Sequence, residues 1–263
     1  MGDCSGVDCM VKFTIDGIDE YKFSCPRNLQ NSKAFEPLWR PKLHCIGLLV
    51  HGWVEYFAIC DQDMLKNANL TLTVLSRGLD ILWDDCRKHG LPLPQNFVCQ
   101  GDNTCRENKN QYVLIYMGFL VATGVFNCSQ MEFMPKGHTH NSLDQRFEVL
   151  NIILKKQEEL QSPSMFKQML EKQYSPVRGG SVAVELLDRT MDFAAWFESM
   201  GVSFSGLSAT HTEKIPVMFG GWSGGQISAA TAAVSFGMST IAAMCGRIWS
   251  KTKGMPFYSS KSP

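Results

Sequence analysis

His44-Cys-Ile-Gly-Leu-Leu-Val-His-Gly-Trp-Val-Glu-Tyr-Phe-Ala-Ile-Cys60 decides the fold class. Two apolar runs, His44 to Val50 and Val54 to Cys60, flank His51-Gly52-Trp53, which reads as a hairpin of two buried strands. Upstream, Val11-Lys-Phe-Thr-Ile-Asp16 alternates apolar and polar residues and stops at Gly17, a third strand, with a Pro- and Asn-rich connection from Ser24 to Pro41. Downstream, Leu72, Leu75, Leu79, Leu82 and Cys86 recur at three- and four-residue spacing, an amphipathic helix between Asn69 and His89 closed by Gly90. Asn96 to Cys99 is a further strand, Tyr112 to Val121 a helix apolar on nearly every side, and Gln130 to Met134 another strand. Leu143, Phe147, Leu150 and Leu154 mark one face of a helix expected to run to about Leu160. The succession is strand, strand, strand, helix, strand, helix, strand, helix, a mixed α/β layer architecture with about five strands and flanking helices.

The rest of the composition bounds what such a fold can do. The chain has 263 residues, 44% of them apolar, with 25 basic and 25 acidic side chains. That is enough apolar material for a large core and excludes a disordered chain, a collagen-like repeat or a disulfide miniprotein. Zero net charge argues against nucleic-acid binding over the whole surface and leaves room only for a local basic groove. The ten cysteines form no Cys-x-x-Cys pair, which excludes a zinc ribbon or a thioredoxin motif, and Cys45, Cys60 and Cys99 sit in apolar runs as reduced core thiols. Met-Gly-Asp-Cys at the start has neither the basic nor the apolar region of a secretory signal, so an intracellular protein is expected.

Three sections are expected. Residues 1–160 form the core. Residues 161–213 form a small α+β extension: Ser162-Pro163-Ser164 starts a helix before Met165 to Tyr174, Ser181 to Leu187 is a strand, and Asp188 caps a helix through Trp196 and Met200. Residues 214–263 form a tail rich in small residues, with no acid after Glu213. Within it Ile227 to Cys245 is uncharged over nineteen residues, enough to cross a bilayer at about 1.5 Å per residue. Its Ala, Ser, Thr and Gly content supplies little hydrophobicity, so a buried helix or a tail unrelated to the core fits better.

Carboxylates supply the candidate chemistry. Asp16 ends the first strand, Asp102 ends the fourth, and Asp144 begins the last core helix. Ligands bind beyond the carboxyl ends of strands in open α/β sheets. If the first and fourth strands are adjacent and parallel, Asp16 and Asp102 meet there and Asp144 completes a cluster. Three close acids repel one another unless a divalent cation neutralises them. Mg2+ or Mn2+ suits such oxygen donors, and two ions about 4 Å apart would hold both oxygens of an in-line phosphoryl displacement. Strand-end and helix-start aspartates also serve as plain turn formers and caps.

Two polar stretches flank these acids. In Gly137-His-Thr-His-Asn-Ser-Leu-Asp144, His140, Asp144 and Glu148 are four apart, a polar edge beside the apolar stripe. His138 and His140 also form a transition-metal ligand pattern that a metallohydrolase would use. Gly101-Asp-Asn-Thr-Cys-Arg-Glu-Asn-Lys-Asn110 is a polar loop between a buried strand and a buried helix. There Asn103 can position a carboxylate or substrate, and Arg106 and Lys109 can take phosphate.

Taken together, Ile15-Asp-Gly-Ile-Asp19 with Lys22 to Asn28, Gly101-Asp-Asn-Thr with Arg106-Glu-Asn-Lys-Asn110, and Gly137-His-Thr-His-Asn with Asp144-Gln-Arg-Phe147 resemble a eukaryotic domain of unknown function. That domain occurs in large plant, insect and dinoflagellate proteins and derives from a transposable element; the resemblance covers about Phe13 to Trp196. It implies a ribonuclease-H-like transposase or integrase core. Asp16 (or Asp19), Asp102 and Asp144 would be its metal-binding triad, with Glu148 the alternative third acid. The function implied is metal-dependent phosphodiester cleavage or strand transfer, on DNA rather than RNA, by a nuclear protein able to dimerise. The chain begins almost at the first core strand, so a targeting module is expected to be missing. Two other readings remain: a catalytically inactive, domesticated binding module, and a metallohydrolase using His138, His140 and Asp144.

Overall fold

The computed structural model describes residues 9–18, 25, 27–28, 40, 42–102, 104–133, 142–157, 159–174 and 180–199, with short strands within 203–235. The elements are β1 (Met10–Gly17), β2 (Arg27–Asn28), β3 (Leu43–Val50), β4 (Val54–Asp61), α1 (Ala68–Lys88), β5 (Asn96–Gly101), α2 (Gln111–Ala122), β6 (Cys128–Phe133) and α3 (Ser142–Lys155). They continue with β7 (Glu159–Leu160), α4 (Pro163–Gln173), β8 (Ser181–Leu187), α5 (Phe193–Ser199), β9 (Ser203–Ser205), β10 (Val217–Gly220), β11 (Trp222–Ser223), β12 (Gln226–Ser228) and β13 (Ala233–Ser235).

One mixed sheet organises the molecule, in the order β10-β6-β5-β1-β3-β4-β8. The β3–β4 hairpin is antiparallel and turns through Gly52, whose φ of +83° suits a residue without a Cβ. β1 runs antiparallel to β3 and parallel to β5, β5 is parallel to β6, and β4 is parallel to β8. Every residue of β3, and all of β4 but Asp61, is buried, because both faces of this pair are covered. Phe13, Leu48, Tyr56 and Ala58 share one core with α1 and α2, while Cys45, Leu49, Phe57 and Ile59 share the other with α3 and α4.

The helices follow from their caps and faces. Asn67 caps α1 by accepting from the Leu70 N–H at 3.2 Å, and Gly78 sets the helix down directly on Leu48 and Phe13. α2 is apolar all round because it lies between the sheet, α1 and α5; Tyr116 and Phe119 meet Phe193, Trp196 and Phe197 of α5 edge to face. Ser162 caps α4 with Pro163 in its first turn.

Several expectations change in detail. The five expected strands gain β8 at one edge and β10 at the other, so segments from both the extension and the tail join the main sheet. α3 stops at Lys155 rather than near Leu160; Lys156 and Gln157 bond back only three residues, and Leu160 then pairs with Arg27. The cap of α5 is Asp192, not Asp188, since its carboxylate accepts the Ala195 N–H at 3.1 Å. Among the described residues no helix is long and apolar enough to cross a membrane, and the eight described cysteines are all free thiols. Burial pushes the Cys60 and Cys99 thiols up to about 12, as core thiols require.

Candidate functional site

The register of β1 against β5 sets the geometry. Thr14 pairs with Gln100, so Asp16 and Asp102 stand two residues further along adjacent parallel strands, Asp102 one residue past the end of β5, where its side chain turns into its own loop. Asp16 lies opposite Gly47 of β3. A Cβ on Gly47 would come within 2.9 Å of Leu143 and 3.0 Å of Phe147, so the first turns of α3 rest on that spot. Asp144 follows Leu143 in the first turn of α3, where the helix dipole favours a carboxylate. All three acids therefore belong to the same end of the sheet. Among the described residues, however, no three acidic, histidine or cysteine side chains close on a point where they would hold one ion.

The carboxylates are held differently. Asp16 is half-buried and accepts from the Gly17 N–H at 2.8 Å. Asp102 is embedded in its own loop: Oδ1 accepts from the Thr104 N–H at 3.2 Å and from the Asn108 amide, and Oδ2 accepts from the Thr104 hydroxyl. Asn108 is only 5% exposed and accepts in turn from the Thr71 hydroxyl of α1 at 3.3 Å. Glu148 is exposed on α3 and accepts from Asn151 at 3.4 Å. Arg106 is exposed on the loop, and the Lys109 ammonium stands 5.5 Å from the ring centre of Phe133 at the end of β6. Asp19, Asn103, His138 and His140 lie outside the described residues.

Beside the acids, the face of β1, β5 and β6 is polar. Lys12, Gln100, Gln130 and Glu132 are half-buried there; Lys12 and Glu132 pair at 3.3 Å, and Gln130 donates to Glu132 at 3.0 Å. The Thr14 hydroxyl meets the His51 Nε2 at 2.8 Å, two residues before Asp16 on the same face. On the same side, past β3, the sheet is apolar and closed by a buried ion pair: Arg146 Nε donates to Glu55 at 3.3 Å, and Tyr174 donates to the other Glu55 oxygen. Burial and that bond to Glu55 push the Tyr174 phenol well above its ordinary value.

Three of these residues escape sequence reasoning. His51 reads only as a hairpin residue, yet cross-strand pairing brings it to Thr14. Asn108 reads as a first-turn helix residue, whereas the helix cap is Asn110, which accepts from Tyr112 and Val113. The available signal was Thr two residues after Asp102, the mark of a side chain that bonds its own turn. Arg146 falls on the Leu143–Phe147–Leu150 face, and a charged residue on an apolar face predicts a buried partner.

The family model described as Domain of unknown function (DUF7869) matches residues 33–218. No curated protein matches the chain, and no solved structure does. The matched span runs from before β3 to within β10 and includes Asp102 and Asp144, while β1 with Asp16 precedes it. With more than two thirds of its residues matched, the chain belongs to the DUF7869 family.

Proposed function

We propose that this chain is a ribonuclease-H-like core that uses divalent metal ions to cleave or transfer phosphodiesters. The observation that carries the reading is the pairing of β1 with β5. Counting the long strands of the first 160 residues in chain order, the first and fourth are adjacent and parallel, and the spatial order is fifth, fourth, first, second, third. A helix follows the third, the fourth and the fifth. That arrangement supports the fold reading, and it makes neighbours of the strand ends after which Asp16 and Asp102 come, the end of such sheets where ligands bind.

The donor set suits Mg2+ or Mn2+. Such ions take one or two carboxylates and complete their shell with water and substrate phosphate, so Asp16 and Asp102, with Asp144 from α3, are chemically adequate. When bound, the ions would polarise the phosphate and activate water or a 3′-hydroxyl. Arg106 and Lys109, on the same loop as Asp102, contact the phosphates; the polar face of Lys12, Gln100 and Gln130 lies alongside for the nucleic acid. A DNA substrate, a dimer and a nuclear location go with this reading. A second reading, an inactive descendant that keeps the fold and binds nucleic acid or protein, is favoured by one observation: both oxygens of Asp102 are already engaged by its own loop.

Cleavage assays on the full chain separate the two. Labelled single- and double-stranded DNA and RNA are incubated with Mn2+ or Mg2+ beside Asp16→Asn and Asp102→Asn. Cleavage or joining lost by at least about a hundredfold in both variants is expected, since each carboxylate acts on the transition state. Equal residual activity in wild type and variants, or none in any, leaves the binding module.

A further inference from the structure

We propose that β8 is the contact surface of a homodimer, in which two copies of the chain pair their β8 strands antiparallel about a two-fold axis at Val184. This dimer needs no metal ion and stands apart from the metal-dependent reading.

The backbone carries the first step. β8 closes one side of the main sheet, and among the described residues no strand pairs with its outer edge. Along a strand, the N–H and C=O of one residue point to the same side, and successive residues alternate. The Ser181 N–H donates to the Trp53 carbonyl at 3.3 Å, so Ser181, Ala183, Glu185 and Leu187 bond towards β4. Val182, Val184 and Leu186 therefore turn their N–H and C=O groups outward, a row that templates another strand.

Exposed edges are ordinarily blunted by lysine, proline, a bulge or short length. β8 shows none of these. Ser181-Val-Ala-Val-Glu-Leu-Leu187 contains neither lysine nor proline and follows β4 residue for residue without a bulge. Its one charge is drawn back from the edge: Glu185 accepts from the Tyr56 hydroxyl at 2.9 Å and pairs with Arg77 of α1 at 3.2 Å. The opposite edge differs, since β10 has four residues and follows Pro216.

A second copy of β8 fits this edge. In an antiparallel pair, outward residues must meet outward residues. Centred on Val184, the pairing sets Val184 against itself and Val182 against Leu186, so all three outward residues of each copy exchange both bonds. Within Ser181–Leu187 no other self-register engages all three. The side chains agree. Val182 and Val184 lie on the face covered by α3 and α4, so apolar residues meet apolar residues across the pair. Leu186, 36% exposed, comes opposite Val182 and is covered. Glu185 falls opposite Ala183, so no like charges meet, and a chain of zero net charge does not repel its copy.

Sedimentation of the full chain between about 1 and 100 µM tests this, in wild type, Val182→Pro and Leu186→Lys. Val182→Pro removes an outward N–H and leaves the ladder to β4 whole, and Leu186→Lys changes an exposed side chain; circular dichroism of both is expected to match wild type. Wild type is expected to reach the mass of a dimer. Two donors are lost per dimer in Val182→Pro, and both variants are expected to dimerise at least about tenfold more weakly. If Val182→Pro does not fold, Leu186→Lys carries the test. A wild type that stays monomeric throughout this range overturns the self-pairing and leaves the edge to a strand of another protein. A dimer of unchanged affinity in the folded variants puts the contact elsewhere and overturns it as well.

Discussion

Asp80 lies on α1, partly buried, and that burial pushes its carboxyl up to about 6; Asp84 and Glu185 add to the rise and Arg77 opposes it. The folded chain therefore holds a proton that the unfolded chain has released between about pH 4 and 6. Its contribution is most favourable below pH 4, falls as pH rises through that window and levels off above it. Asp80→Asn removes the slope. It is expected to raise unfolding stability at pH 7 by about 1–2 kcal/mol, allowing for solvent screening of a side chain that stays partly exposed, and to leave stability at pH 4 unchanged. Urea unfolding at the two pH values checks this. Breaking the Glu55–Arg146 pair is expected to destabilise, because both side chains are 6% exposed. Arg146→Met leaves Glu55 charged and buried, at an expected cost of about 3–5 kcal/mol; adding Glu55→Gln should recover most of it. At this scale the strand-end acids were legible, since Asp16 and Asp102 each close an apolar run. Asn108 and His51 were not, because their partners come from α1 and from the neighbouring strand, and no local pattern encodes either.

Gly78 shows how tightly α1 is set on the sheet. A Cβ there would lie 2.1 Å from Leu48 Cδ2 and 3.2 Å from Phe13, both wholly buried. Alanine in mid-helix gains about 1 kcal/mol of propensity over glycine, but overpacking costs about 1–3 kcal/mol. Gly78→Ala is therefore expected to lower stability by about 1 kcal/mol, whereas an exposed helix glycine would gain; denaturant midpoints measure the sign. The helices and strands of the first 155 residues were readable from their periodicities, because apolar residues at three- and four-residue or two-residue spacing mark which side is buried. Element ends were less so. The stop of α3 at Lys155 has no local mark, because residues 156–160 contain neither glycine nor proline; Leu160 pairs with Arg27 of β2 instead of continuing the helix. Likewise, Asp188 and Asp192 both precede α5, and the Asn69 side chain selects the later one by bonding Asp192 and the Ala194 N–H.

At the scale of the whole molecule, strand succession suggested a sheet, and pairing decides what the sheet can do. A chain reading orders strands in time; it does not say that the fourth lies beside the first, nor that β8 and β10 complete the edges. Those placements come from burial of two apolar faces at once, one under α1 and α2 and one under α3 and α4. They also explain the split of the second face into an apolar half fastened by Glu55 and Arg146 and a polar half beside Asp16. On the metal-dependent reading proposed above, Asp16 and Asp102 share one cation, with Asp144 supplied from α3. Crystals of the full chain soaked in MnCl2 and measured by anomalous scattering test this. An anomalous peak is expected between Asp16 and Asp102, at about 2.1 Å from one oxygen of each. Manganese elsewhere on the chain, with both carboxylates unliganded, would contradict it.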